Sequence, residues 1–342
     1  MQLSKLNILY IEPYYTGSHK QWINSYKRYS KHNIEILKLS GQKWKWRMHG
    51  GAVTLAYEFN KLNKNFDIIL CSDMLNLPVF KSLCNYKIES SKVVMYFHEN
   101  QLSYPWSPQD DDLKLNRDLH YHFINYTSSL VSDHNYFNSQ YHLDSYMKEL
   151  LKYLKKMPDF RNEDTLDEIL VKSSILPIGC ELKINKSFVI KAPIILWNHR
   201  WEYDKNPEMF FNVLFDLNDR GINFSLIVVG QKYKEYPDIF NKAKKKLKNN
   251  ILHFGYCESN EEYLHLIKKS NILPVTSYQD FFGISIVEAV SNGNYPILPT
   301  RLSYPELFDF KNNSDLFYNN ESELKNKIIN IINNIENIKD RV

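Results

Sequence analysis

Asp280-Phe281-Phe282-Gly283-Ile284-Ser285-Ile286-Val287-Glu288-Ala289 links a buried strand pattern, residues 273–277 (LPVTS), to a helical pattern opening near Gly283. A strand, a glycine turn and a helix N-terminus in succession make half of a βαβ unit. The first turn of such a helix carries backbone N–H groups without intrahelical partners and the positive end of the helix dipole, which suit a phosphate. Gly283 lets a ligand come close to the backbone. Glu288 stands eight positions after Asp280, one to two turns into the helix and facing the same side as its first turn. A carboxylate there can accept from both hydroxyls of a ribose, and Asp280, ahead of the helix, can hold a hydroxyl of a sugar. The plainer roles are a helix cap for Asp280 and a solvated position for Glu288.

Outward from this stretch the same alternation repeats. Strand patterns at 193–197 (PIILW), 224–229 (FSLIVV), 251–254, 272–276 and 295–299 alternate with helical patterns at 206–219, 239–247, 261–269 and 283–292. The first half reads likewise, with strands at 5–12, 33–39, 66–71 (FDIILC), 92–97 (KVVMYF) and 130–137, and a helix at 19–29 after a turn at Gly17. The rhythm stalls in a charged helical stretch, 148–167, broken at Pro158, then a short strand at 175–179 (ILPIG) and a linker at 181–192. Alternation of this kind predicts an α/β chain with two doubly wound parallel sheets. Residues 1–185 form a first Rossmann-like domain, 186–320 a second, and 321–342 a polar helix with an isoleucine face that can cross back onto the first domain. Two such halves leave a cleft between the carboxyl ends of their strands.

Composition agrees and excludes alternatives. At 342 residues the chain outgrows a single core, and 43% hydrophobic residues fill two. The net charge of +4 permits a polyanionic partner without requiring one. Four cysteines without a C-x-x-C pair argue against a disulfide scaffold or a zinc site, and suit a reducing, cytoplasmic setting. No signal peptide and no membrane span are expected. Asp110-Asp111-Asp112 reads as a solvated turn, His120 and His122 as a poor metal pair, and 242–248 as a solvated lysine face, so no metal is assigned.

Trp197-Asn198-His199-Arg200-Trp201-Glu202-Tyr203-Asp204-Lys205 closes the first strand of the second half. Two cations five residues apart at a strand's carboxyl end can clamp a diphosphate as leaving charge develops. Together, Arg200–Lys205 and Asp280–Glu288 resemble the donor site of glycosyltransferase family 4. The resemblance implies Arg200 and Lys205 on the diphosphate, Glu288 on the ribose and Asp280 on the sugar. His199, Phe282 and the Gly283–Ile284 backbone would assist, with Gly230 flanking the nucleotide and Gly255 bordering the base pocket. Family members carry Glu where this chain has Asp280, a shorter reach that bears on the sugar contact.

In the first half, Gly17 and Ser18 precede a helix and can meet a phosphate or sugar, while His19 reads either as a ligand or as a helix-start residue. There is no G-x-G-x-x-G, which disfavours a dinucleotide. His98 ends the KVVMYF strand and is the candidate beside the reacting sugar, with a buried, backbone-satisfied histidine as its alternative. Glu99, Asn100 and Gln101 follow it. Lys43-Trp44-Lys45-Trp46-Arg47-Met48-His49 interleaves cations with tryptophans, a pattern that can grip phosphates and stack on bases, or equally anchor a core.

In order, EPYYTGSHKQW, KWKWR, YFHENQLSYP, FNSQYHLDS, WNHRWEYDK and DFFGISIVEAV…YPILP…YPELF look like the tRNA-queuosine α-mannosyltransferase family, over nearly the whole chain. This resemblance implies a GT-B fold and a retaining transfer of mannose from GDP-mannose to queuosine in tRNA. It implies no resident cofactor. On that basis Trp44, Trp46, Arg47, His49, Glu99, Asn100 and Gln101 face the acceptor. The rival functions are a family 4 enzyme with a lipid, polysaccharide or small-molecule acceptor, a sugar-phosphate epimerase or phosphorylase on the same architecture, and a non-catalytic RNA-binding relative.

Overall fold

A computed structural model describes residues 4–107, 112, 120–180, 182 and 192–335. The chain divides into two compact units, Met1–Gly179 and Cys180–Val342. The expected linker, 181–192, lies almost wholly outside the described residues.

The first unit runs β1 (Asn7–Tyr15), α1 (Gly17–Tyr29), β2 (Asn33–Ser40), α2 (Trp44–Lys61), β3 (Ile68–Ser72), α3 (Leu77–Leu83), β4 (Lys92–Phe97), α4 (His120–Val131), β5 (His134–Phe137), α5 (Gln140–Leu154), α6 (Thr165–Val171) and β6 (Ser173–Ile175). Among the described residues its sheet is wholly parallel, in the order β2-β1-β3-β4-β5-β6. Alternate residues serve opposite faces. Leu9, Ile11, Ile69, Cys71, Val93, Met95 and Phe97 enter one core, whereas Ile8, Tyr10, Leu70, Val94 and Tyr96 enter the other. A parallel sheet covered on both faces needs continuous apolar strands, which is why VVMYF reads as a solid run.

The second unit repeats the plan with β7 (Ile194–Trp197), α7 (Pro207–Asp219), β8 (Ser225–Val229), α8 (Ile239–Lys246), β9 (Ile251–Gly255), α9 (Asn260–Lys269), β10 (Ile272–Pro274), α10 (Ile284–Ser291), β11 (Tyr295–Pro299), α11 (Tyr304–Leu307), β12 (Phe317–Tyr318) and α12 (Glu321–Asn333). Its strand order is β12-β11-β10-β7-β8-β9. Ile195, Trp197, Leu226 and Val228 face one core, and Leu196, Ile227 and Val229 the other. The order reverses between β1 and β3 in the first sheet and between β7 and β10 in the second. Ligands of open α/β sheets sit at the carboxyl ends of strands flanking such a reversal.

Three expectations change. Residues 130–131 are the last turn of α4, not strand, and β5 begins only at His134; the apolar end of an amphipathic helix abuts the strand with two polar residues between. The ILPIG strand shrinks to β6, ending at Ile175 ahead of Pro177, whose missing N–H cannot join a ladder. The isoleucine face of α12 stays in its own unit: Leu324, Ile328 and Ile331 pack into the core shared by Trp197, Phe211 and Tyr318. Residues beyond 335 lie outside the described ones.

Candidate active site

The loop after β7 is fixed by packing before any polar contact is counted. Trp201 is buried and stacks on Phe240 at 4.3 Å between ring centroids. Its amide donates to the Gln231 carbonyl at 2.9 Å. Gly230, at φ +148°, lies so close that a Cβ there would fall 1.9 Å from the His199 carbonyl oxygen. Asn206 adopts a left-handed conformation and caps α7 by accepting from Met209 N at 3.3 Å. The loop after β10 is zipped to this one. Tyr278 N donates to the Asp204 carbonyl at 2.7 Å, and Thr276 Oγ1 to the carbonyls of Lys205 and Asn206 at 2.9 and 3.0 Å.

Lys205 stands at the junction. Its Nζ donates to the Gln279 carbonyl at 2.6 Å and lies 3.2 Å from Asp204 Oδ2 and 3.3 Å from Asp280 Oδ2. Three acceptors match the three hydrogens of an ammonium. Burial alone would strip its proton, but the Asp280 and Asp204 carboxylates outweigh burial and hold the ammonium above the ordinary lysine value. Burial pushes the Asp280 carboxyl up, and Lys205, His199 and the Tyr304 hydroxyl, 2.8 Å from Oδ2, bring it below the ordinary range. Asp280 is therefore no helix cap; Gly283, at φ +80°, takes that position. A Cβ on Gly283 would meet the Tyr304 ring at 2.9 Å.

Arg200 is half-exposed and pairs with Glu202 at 3.1 Å. His199 is buried, and burial, with Lys205 nearby, lowers it to about 4, so the ring is neutral at pH 7. Glu288 is largely shielded, its carboxyl raised by burial, and Oε2 accepts from the Tyr263 hydroxyl at 2.9 Å. Both contacts to Asp280 fall on Oδ2 and the one to Glu288 on Oε2. Asp280 Oδ1 and Glu288 Oε1 thus take no hydrogen bond among the described residues, nor does the buried His199 Nε2. A buried ring nitrogen without a partner, beside two carboxylate oxygens left open, is what a polar ligand can satisfy. Phe282 is buried beneath the loop, Ile284 opens α10, and Gly255 ends β9.

At the switch point of the first sheet, Glu12 is fully buried. Its oxygens accept from Tyr14 N at 2.8 Å, the Ser72 hydroxyl at 3.0 Å, the Tyr10 hydroxyl at 2.9 Å and His19 Nδ1 at 2.9 Å. Burial opposes a charge on His19, but Glu12 prevails and raises it to about 9. The His98 ring lies 4.2 Å from that of His19 between centroids, tilted by 35°, and shares a 3.2 Å hydrogen bond with the Tyr10 hydroxyl through Nε2. Burial and the His19 charge keep His98 neutral, well below its ordinary value. Asp73 accepts from His98 N at 2.8 Å, and burial pushes its carboxyl up to about 8, against the pull of His19. Glu12, His19 and His98 bring ligand atoms within 4.8 Å of one another, a spacing that can hold an ion. Gly17 and Ser18 open α1 over this group.

The remaining candidates divide. Glu99 accepts from Gln101 at 3.2 Å, while Asn100 is fully buried and closes its turn by accepting from Ser103 N at 2.8 Å. Trp44 packs inward on Tyr121, and Arg47 donates to the carbonyl and hydroxyl of Ser40. Trp46 is 62% exposed, and His49 faces His120. Asp112, read as solvated, is buried and paired with Lys45; Asp110 and Asp111 lie outside the described residues. No described helix is long and apolar enough to cross a membrane.

Spacing alone did not single out Glu12, Asp73, Asp204, Tyr263 or Tyr304. A charge inside an apolar strand marks Glu12, since buried acids are rare without partners, and Asp73 directly follows a strand at the switch point.

Comparison with known proteins follows the same division. Residues 7–180 match a family model described as tRNA-queuosine alpha-mannosyltransferase N-terminal, and residues 181–341 one described as glycosyl transferases group 1. The tRNA-queuosine alpha-mannosyltransferase of Drosophila melanogaster is 33% identical over 96% of this chain and 88% of its own. Among solved structures, HepE of Anabaena in complex with UDP is similar at a TM-score of 0.65 and 13% identity, covering 98% of this chain and 92% of that one. Sucrose-phosphate synthase of Thermosynechococcus elongatus is similar at 0.68 and 12% identity, covering 96% and 90%. At such identities the likeness is one of fold, the GT-B architecture.

Proposed function

The chain belongs to the tRNA-queuosine alpha-mannosyltransferase family, and from that premise we propose that this glycosyltransferase moves mannose from GDP-mannose to queuosine in tRNA with retained anomeric configuration. The observation that carries the donor half is a set of polar atoms at the β7/β10 switch point: the buried, unpartnered His199 Nε2, and Asp280 Oδ1 and Glu288 Oε1, left open because the contacts of both carboxylates fall on the other oxygen, beside a helix N-terminus. Glu288 Oε1 suits a ribose diol and Asp280 Oδ1 a sugar hydroxyl. The α10 N-terminus and the Arg200 guanidinium suit the diphosphate.

In the proposed reaction the bond from the anomeric carbon to the diphosphate oxygen breaks as negative charge gathers on the leaving group. Arg200, the fixed ammonium of Lys205 and the helix N-terminus stabilise that charge, so the protein's own cations serve where a metal otherwise would. The acceptor hydroxyl bonds to the anomeric carbon on the face the diphosphate leaves, and its proton passes to a departing phosphate oxygen. His98, a neutral imidazole, is assigned to orienting the sugar rather than to covalent attack. The family name supports the tRNA acceptor, and four free cysteines suit a reducing, cytoplasmic setting.

Incubation of purified protein with a panel of nucleotide sugars and queuosine-containing tRNA, read by nucleoside mass spectrometry, tests the whole proposal. Hexosylated queuosine with GDP-mannose alone is expected. Transfer to a lipid or polysaccharide with tRNA untouched overturns the acceptor, and transfer from a different nucleotide sugar overturns the donor. Arg200→Ala should lower turnover by roughly a hundredfold or more; near-normal turnover removes it from the leaving-group role.

A further inference from the structure

A concavity of the first unit lies where α2 meets α4. It is open to solvent, offers about 270 Å³ and is lined by Lys45, Trp46, His49, Asp112, His120 and Tyr121. Its rings form a cluster: His49 to His120 at 4.8 Å, His120 to Tyr121 at 4.5 Å and His49 to Tyr121 at 5.3 Å. At its mouth the Trp46 indole is 62% exposed, although large aromatic side chains are ordinarily covered. Gly50, one turn on, allows this: a Cβ there would lie 2.5 Å from the indole, so the ring rests flat over the helix only because residue 50 has no side chain. The Lys45–Asp112 ion pair, with Asp112 buried, places a donor and an acceptor in the wall. Burial, aided by His120, lowers His49, so its ring is neutral and offers both a donor and an acceptor.

Aromatic faces beside a few fixed donors and acceptors describe a receptor for a planar heterocycle. An exposed tryptophan between cations describes one attached to a phosphate backbone. We propose that this cavity takes one unstacked nucleobase from the single-stranded loop of the acceptor RNA, with Trp46 stacked on its face and His49, His120 and the Lys45–Asp112 pair meeting its edge. The proposal rests on the tRNA reading of the acceptor and adds the surface that recognises it. Of the residues expected to face the acceptor it retains Trp46 and His49, sets aside Trp44 and Arg47, which are engaged within the unit, and adds Asp112, His120 and Tyr121.

The test uses the full chain and two RNA probes, a queuosine-containing anticodon stem-loop and a fully paired duplex of equal length. Trp46→Ala should weaken stem-loop binding, and raise the KM for tRNA, by about tenfold or more. Duplex binding and hydrolysis of the nucleotide sugar should stay unchanged. Gly50→Val, which displaces the indole without deleting it, should reproduce the effect. Tyr57→Ala, on an exposed position of the same helix outside the cavity, should not. If both cavity variants bind the stem-loop like the parent, or lose stem-loop and duplex equally, base stacking here is refuted while the tRNA reading stands. If the parent protein hydrolyses donor but neither binds nor modifies tRNA, the acceptor reading falls and this proposal with it.

Discussion

Replacing Lys205 by methionine separates what the buried ammonium does for the fold from what it does for the reaction. Its Nζ lies within 3.3 Å of both Asp204 Oδ2 and Asp280 Oδ2, whose side chains are 1% and 18% exposed. Methionine keeps much of the volume and removes the charge, stranding two carboxylates in a poorly solvated site. Removing one member of a buried ion pair costs about 3–5 kcal/mol, chiefly as the penalty on the charge left behind. The loss is local, so it should appear as faster amide hydrogen exchange in β7 and β10, the strands whose loops Lys205 joins. Adding Asp280→Asn to Lys205→Met removes one stranded charge and should recover part of the protection. It should not recover turnover, which falls by about 10²–10³ when one preorganised group that stabilises a developing anion is lost. Two results would refute the reasoning: unchanged exchange in Lys205→Met, or a double variant with parental turnover. The second would mean that Lys205 serves only to neutralise Asp280.

Gly230→Ala would drive a Cβ to 1.9 Å from the His199 carbonyl; it should destabilise the second unit by at least about 2 kcal/mol and weaken donor binding, measured by thermal melting and calorimetry. Tyr263→Phe removes the hydroxyl that orients Glu288 and should weaken nucleotide binding several-fold, for the loss of about 1 kcal/mol, with the melting temperature nearly unmoved. Because burial raises the Glu288 carboxyl, donor affinity should fall on acidification at a higher pH than an ordinary glutamate would give, a shift that Glu288→Gln abolishes along with most affinity. His19 titrates near 9 in the fold against 6.5 as an ordinary histidine, so its stabilisation is complete below about pH 6.5 and is lost as pH rises through about 9, amounting to about 3 kcal/mol. Thermal melts across that window should show a steeper slope in the parent chain than in His19→Gln, where the Asp73 carboxyl, itself raised to about 8 by burial, leaves a residual one.

The sheets were legible because both of their faces are buried. A strand covered on two sides must be apolar where it is buried, and IILW, LIVV and VVMYF are. Boundaries were less legible where an amphipathic helix ends in the residue types that begin a strand. Leu130 and Val131 belong to α4 by their place in its periodicity and to β5 by composition, and the intervening Ser132 and Asp133 are a weak signal. The isoleucine face of α12 announced that it needed a partner without naming one. An apolar stripe carries no address, and the available groove beside Phe211 decided the matter.

At the site, spacing along the chain named Arg200, Lys205, Asp280 and Glu288 but could not distinguish how the two cations are held. Arg200 pairs with Glu202 in a half-exposed position, where an ion pair contributes at most about 1 kcal/mol and exchanges readily for a better anion. Lys205 is enclosed, with its three hydrogens committed to Gln279, Asp204 and Asp280. The first can turn towards a diphosphate at little cost; the second supplies a fixed charge whose position Asp204 and Asp280 determine. That difference arises from Trp201, Gly230 and the hydrogen bonds tying residue 204 to residues 278 and 279. These contacts span two strand ends far apart in the chain, and their partners became identifiable only once β7 and β10 lay side by side.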